Sequence, residues 1–333
     1  MVLSGCSLQP RLIRYDAQFF ELFDTVTSIV GYAKDKNTFT EYVQLLYDEL
    51  EIYHQLYDIY NDYEGINNLK TINDNAGVQP VVVDEKIIDM LEEAVELYEL
   101  TDGQVNVAMG SVLSIWHEYR TEGTLDPVNA KLPSDEELLA AAEHMNITKL
   151  KIDREASTVY LEDPAMRLDV GAIAKGYATE RACRTLEEAG LTSASVSVGG
   201  NIRVIGVKDG GELWRLGIQN PDLESDEKYL HSVGLKDNSL VTSGTYQRYY
   251  TVDGVQYHHI IHPGSLKPWN EYVAVSVICQ DSGLADALAT AVFNMELEDG
   301  MELVESLDDV EVMWIEPDGT EHYSSGFERY LLK

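Results

Sequence analysis

From residue 147 onward the apolar residues fall into short runs bounded by turn signals, and this clustering of strands constrains the fold more than any other feature. The spacing predicts strands at 147–152, 158–162, 167–170, 194–198, 202–207, 213–219, 229–236, 240–252, 255–261, 273–279 and 310–316. Helical stretches at 172–189 and 283–306 interrupt them, and Val252-Asp253-Gly254-Val255 reads as a hairpin turn. The N-terminal part is built differently. Asp24 to Tyr32 alternates like a strand, Thr38 to Tyr60 carries apolar residues at helical spacing, and a polar, Asn-rich stretch fills 61–77. A second helix runs from about Asp84 to Leu100 and stops at Thr101-Asp102-Gly103. A short helix near 110–119 follows, and Ser134-Asp135-Glu136-Glu137 is a capping box opening a helix to about His144. Strands that cluster, instead of alternating regularly with helices, predict an α+β fold of mixed or antiparallel sheets with packed helices. Residues 7–20 read as a tether, so the expected organisation is a short N-terminal remnant and tether over 1–18 and one domain over 19–333, helix-rich to about 146 and strand-rich beyond.

The 333 residues are 44% hydrophobic, enough to bury a full core. The 24 Lys and Arg against 58 Asp and Glu leave a formal charge of −34. A surface that acidic repels phosphate backbones, so no nucleic-acid partner is expected. An anionic ligand can be held only where a metal, a helix N-terminus or a few focused cations overcome that field, which makes a small-molecule enzyme the first class to consider. Cys6, Cys183 and Cys279 are too few for a disulfide scaffold and lack zinc-site spacing. Cys6 ends the run Leu3-Ser4-Gly5-Cys6, which looks like a bacterial lipobox, the place where an exported precursor is cleaved and lipidated. No run of about 18 apolar residues follows. Membrane attachment is therefore expected only through a lipid on Cys6.

Several segments could carry chemistry. Arg167 to Tyr177 is a run ending in Asp169 and passing into a Gly/Ala-rich helix start with Lys175 one turn in; it reads either as an anion-binding helix N-terminus or as a tightly packed turn with a solvated lysine. It matches neither a Walker A loop nor a Gly-x-Gly-x-x-Gly fingerprint. Val198-Gly199-Gly200-Asn201-Ile202 joins two apolar strands through paired glycines, as a backbone bend or a ligand contact. In Ser282 to Phe293, Asp286 and Thr290 lie four apart on one side of a helix among alanines. They read as two hard oxygen ligands suited to Mg²⁺, or as a wet carboxylate near a helix N-terminus. His258 and His259 are adjacent in a strand and face opposite sides, so at most one of them serves a given site, as a general base or as a packed structural histidine.

Taken together and in order, these segments resemble the ApbE family, the FAD:protein FMN transferases. The matching pieces are Phe23-Asp24-Thr25-Val26-Thr27, Ala108-Met109-Gly110, Asp169 to Gly176, Val198 to Ile202, Thr242-Ser243-Gly244, His259-Ile260-Ile261 and Leu284 to Thr290, spanning most of the chain. The resemblance implies a T-fold-related architecture. It also implies a Mg²⁺-dependent enzyme that splits FAD, joins FMN through a phosphoester to a Thr of an acceptor flavoprotein and releases AMP. By the same resemblance Asp286 and Thr290 bind the metal through their side chains and Ala172 and Ala289 through their carbonyls, while Phe23, Ala108, Met109, Gly110, Asp169, Lys175, His259 and Ile260 line the FAD site. His259 and Asp286 are the expected catalytic pair. With the lipobox, it implies an exported bacterial lipoprotein on the outer face of the cytoplasmic membrane. The chain departs from the family at His262, where Asp is usual, at Gly264-Ser265, where a Thr-Gly pair is common, and at Thr245, often Asp. Two rival readings of the same residues are a Mg²⁺-dependent FAD pyrophosphatase and a non-catalytic flavin-binding lipoprotein.

Overall fold

The computed structural model describes residues 12–333. Its N-terminal part supplies β1 (Ile13–Phe19), β2 (Thr27–Ala33), α1 (Lys36–Tyr57), α2 (Leu69–Asp74), β3 (Val81–Val82), α3 (Glu85–Leu100), α4 (Gly110–Leu125) and α5 (Asp135–Ala142). The remainder supplies β4 (Leu150–Asp153), β5 (Thr158–Leu161), α6 (Ala174–Glu188), β6 (Ala194–Val198), β7 (Asn201–Ile205), β8 (Trp214–Gln219), β9 (Tyr229–Leu235), β10 (Ser239–Gly244), β11 (Tyr249–Val252), β12 (Val255–His258), β13 (Ala274–Cys279), α7 (Ser282–Phe293), α8 (Leu297–Glu305), β14 (Glu311–Ile315) and β15 (Glu321–Tyr323). The α+β expectation holds. Eight strands make one sheet in the order β1-β2-β6-β7-β10-β13-β14-β15, every neighbouring pair antiparallel.

The period of two sorts the strands between the sheet's faces. Val204, Leu240, Ala274, Ile278, Met313 and Ile315 pack with the β8–β9 hairpin on one face. On the other face Val275, Val277, Val312 and Trp314 pack against α7, and Ile29, Val196 and Val198 join the core containing α1 and α6. Arg203 also points to the helical face, where it is buried and paired with the buried Glu180 of α6 at 3.1 Å. Glu180 accepts the Ser282 N–H as well, so one carboxylate joins β7, α6 and the start of α7.

Four expectations change. The tether through residue 18 gives way to β1, an edge strand paired with β2 from Ile13↔Ala33 to Phe19↔Thr27. Tyr15 and Phe19 alternate inward, Tyr15 stacking on Phe39 at 5.4 Å and Phe19 meeting Tyr47 edge-on at 5.2 Å. Residues 167–170 form no ladder beyond a single Met109↔Arg167 bridge, and the buried Asn73 holds them instead. The strand expected over 240–252 breaks after Gly244. There the chain leaves the sheet for the β11–β12 hairpin, which packs on α4 through Tyr250 and Tyr257 near Trp116. Its turn residues Asp253 and Gly254 both have positive φ, as the hairpin signal requires. The helix over 283–306 divides at 294–296: the Asn294 N–H folds back to the Ala291 carbonyl, and Trp314 Nε1 takes the Val292 carbonyl that a continued helix would have used. Cys183 and Cys279 are buried and unpaired. Cys6 and its lipobox lie outside the described residues.

Candidate functional site

Two segments are laid side by side to make the floor of the site. The Asp169 N–H donates to the Val107 carbonyl at 2.8 Å and the Gly110 N–H to the Arg167 carbonyl at 3.1 Å. The Asn73 amide receives the Leu168 N–H at 2.7 Å and donates to its carbonyl at 3.0 Å. A Cβ at Gly110 would stand 2.6 Å from the Arg167 carbonyl oxygen, so glycine is required for this approach. Ala108, Met109, Gly110 and Asp169 are thereby brought together. Asp169 Oδ1 accepts the Gly171 N–H at 2.8 Å and turns the chain toward α6. Burial pushes the Asp169 carboxyl up from its ordinary range, against the opposing pull of that N–H and of His117, Arg120 and Lys175.

Helices α6 and α7 cross at Gly176. A Cβ there would lie 2.2 Å from the Ser282 carbonyl oxygen and 2.4 Å from Asp286 Cβ. The close approach lets the Gly176 N–H donate to Asp286 Oδ2 at 2.8 Å, with Lys175 Nζ 3.8 Å from the same oxygen. Asp286 is buried, and burial raises its pKa while Lys175 and the Gly176 N–H hold it down. Gly176 is the third residue of α6, so its N–H is one of the first-turn donors without a partner inside the helix, and Asp286 takes it. The Asp286 carboxylate and the Thr290 hydroxyl one turn along α7 are hard oxygen donors on one helix, and Ala172 stands two residues ahead of α6. No three His, Cys, Asp or Glu side chains gather in ligating geometry among the described residues. Hard oxygens with few carboxylates fit Mg²⁺ completed by substrate oxygens, and do not fit a zinc site. Ala289 is buried on the same helix, and nothing in the structure singles out its carbonyl.

The strand expected over 255–261 ends at His258, so His259 follows β12 instead of alternating within it. His258 is buried, Nε2 on the Trp269 carbonyl at 2.8 Å, Nδ1 accepting the Ile260 N–H at 3.2 Å, the ring edge-on to Phe293. It is structural. His259, anchored by its N–H to the Arg248 carbonyl at 3.1 Å, has a buried Nδ1 with no hydrogen-bond partner. Burial, then Arg248 and Arg120, push its pKa down to about 3. Ile260 is buried beside it in the α7 core. Phe23 sits in the β1–β2 turn with φ +55°, and two residues on Thr25 lies against the Gly199 turn, where a Cβ would stand 2.7 Å from Thr25 Oγ1.

Four residues that sequence reasoning passed over share this space. His117 Nδ1 faces Arg120 Nη2 at 3.0 Å, and its ring lies 5.2 Å from that of Tyr60. Burial and the Asp169 carboxylate push the Tyr60 hydroxyl up to about 12. Arg120 and Arg248 complete a cationic rim, with no carboxylate within salt-bridge distance of either among the described residues. The helical spacing over Thr38 to Tyr60 takes Tyr60 into α1, whereas the helix ends at Tyr57 with Asp58 as C-cap. His262, the departure from the family pattern, accepts the N–H groups of Gly264 at 3.0 Å and Ser265 at 2.9 Å and stacks on Trp269. It shapes its own loop as a capping carboxylate would.

The ApbE family model matches residues 23–314. The chain is 34% identical over 272 residues to the FAD:protein FMN transferase of Treponema pallidum, covering 78% of this chain and 73% of that protein. It is 30% identical over 306 residues to the FAD:protein FMN transferase of Vibrio cholerae, covering 91% and 87%. Among solved structures, an ApbE protein from Thermotoga maritima superposes with a TM-score of 0.83 at 28% identity, over 96% of this chain and 100% of that one.

Proposed function

The chain belongs to the ApbE family and is a flavin transferase, and we propose that it moves FMN from FAD to a threonine hydroxyl of an acceptor protein with the help of Mg²⁺ held at Asp286. The observation that carries the metal reading is the buried Asp286 carboxylate, held by the Gly176 N–H where α6 and α7 cross, with the Thr290 hydroxyl one turn along the same helix; the Ala172 carbonyl completes the proposed set. Bound there, the metal would neutralise charge on the diphosphate during the displacement. Lys175, the second residue of α6, binds the same diphosphate from the protein side, with the helix N-terminus beside it. His259, neutral and with a free buried ring nitrogen, takes the proton of the attacking threonine. The threonine oxygen forms the new bond to the FMN phosphorus, the bond to the AMP phosphate oxygen breaks, and AMP leaves with that electron pair. Ala108, Met109, Gly110, Asp169, Phe23 and Ile260 shape the space for FAD.

Mass spectrometry of a threonine-bearing acceptor incubated with the chain, FAD and Mg²⁺ tests this. The expected result is FMN esterified to one threonine with one AMP per modified acceptor. FMN and AMP released beside unmodified acceptor would make the enzyme a pyrophosphatase. Asp286→Ala abolishes transfer in this assay, and Thr290→Ala reduces it less, because water replaces a neutral ligand. Asp286→Ala turning over like the wild type would remove the metal reading. Export and lipidation at Cys6 are proposed on the Leu3-Ser4-Gly5-Cys6 run, and no helix among the described residues is long and apolar enough to cross a membrane. A precursor carrying Cys6→Ser is expected in the soluble fraction, and its persistence in membranes would refute the anchor.

A further inference from the structure

Phe23 and Asp24 are consecutive non-glycine residues with φ of +55° and +50°. Such a pair persists only where its surroundings over-determine it. The Phe23 N–H donates to His54 Nδ1 at 3.3 Å, and the two rings meet edge-on with centroids 5.5 Å apart. Since Nδ1 accepts, the imidazole carries its proton on Nε2 and donates it to Tyr63 Oη at 3.3 Å. Tyr63 in turn donates to Asp58 Oδ2 at 2.9 Å. Asp58 Oδ1 receives the N–H groups of Tyr60 at 2.6 Å and Asn61 at 3.0 Å. One unbroken relay therefore runs from the strained Phe23 turn, through the last turn of α1, to the loop that presents Tyr60.

We propose that His54 is a positioning residue that locks the Phe23 turn and the Tyr60 loop as the two sides of one flavin-receiving jaw; this rests on the reading that both line the FAD site. His54 touches no reacting atom. Its contribution is to have the jaw already set when FAD arrives, so that binding does not have to order it.

Titration of flavin fluorescence with FAD, together with steady-state transfer, tests the assignment on the full chain. His54→Ala is expected to raise both Kd and KM for FAD about tenfold, the worth of a lost hydrogen-bond pair, with kcat at saturating FAD within about twofold of wild type. His54→Asn, which keeps an acceptor at the position of Nδ1, recovers most of that loss. Tyr63→Phe weakens FAD binding by about threefold, and adding it to His54→Ala costs nothing more, because the relay is already cut. Wild-type affinity in His54→Ala, equal losses in the Asn and Ala variants, or a fall in kcat at unchanged KM would each overturn the proposal. Should His54→Ala fail to fold, unchanged FAD affinity in Tyr63→Phe overturns it alone. A wild-type chain that binds FAD but transfers no FMN removes the transferase mechanism and leaves the Kd comparison decisive for His54.

Discussion

His259 shows how one residue's surroundings set its chemistry. Burial and the Arg248 and Arg120 guanidiniums keep the ring neutral down to about pH 3, which leaves it a weak base on its own. An anion held on the cationic rim cancels part of that field, and the ring becomes more basic when the diphosphate is in place. The imidazole resonances of His259 should therefore titrate near 3 in the free protein and at higher pH with inorganic pyrophosphate bound, and pyrophosphate should bind more tightly as pH falls through that range. No shift on adding pyrophosphate would refute the coupling. The same depression acts on stability. With an unfolded value of about 6.5, the contribution is complete above that pH and drains away as the pH falls toward 3. His259→Gln lacks this part of the slope in a comparison of melting temperatures against pH. At this scale the sequence made the placing of Asp286 and Thr290 one turn apart on a helix legible, since it follows from the helical period, whereas the end of β12 at His258 was not. It could not show Tyr60, His117, Arg120 or Arg248, because they are ordinary surface types made special only by folding around Asp169.

The helix crossing at Gly176 is the element on which the metal reading depends, and glycine is what permits it. Gly176→Ala would push the new methyl into the Ser282 carbonyl. The expected cost is about 1–3 kcal/mol of stability, as for other overpacked contacts, and transfer should fall by more than the melting temperature suggests, because parting the helices lengthens the backbone N–H bond that orients Asp286. Calorimetry and the transfer assay on the same sample separate the two, and a variant with wild-type stability and activity would show that the crossing has slack. Element by element, long periodic stretches such as α1, α3 and the strands β6 to β9 were readable, because burial on one face imposes a period that survives in one dimension. The failures share a cause. The gap between α7 and α8 and the missing ladder at 167–170 are each decided by distant partners, Trp314 and Asn73, that local spacing does not encode.

For the molecule as a whole the charge of −34 acts at a distance on an anionic substrate. The cations of the site work only at close range, so FAD approaches against a repulsive field that extends about 30 Å at 0.01 M salt and about 10 Å at 0.1 M. Stopped-flow association of FAD should accordingly quicken as salt rises across that interval, and slowing would mean that the cationic rim steers from afar. Fold class was legible at this scale from the clustering of strands, whereas the sheet's order was not, because β1 looked like a tether. That edge strand bears on what happens under load. If the protein hangs from a membrane by its first residues, a pull on the chain enters at Ile13, the end of β1 far from its turn, and must peel the pairing with β2 from Ile13↔Ala33 toward Phe19↔Thr27 before it reaches Phe23. The outermost strand is then a tear strip, which yields one rung at a time and shields the flavin jaw from tension in the anchor.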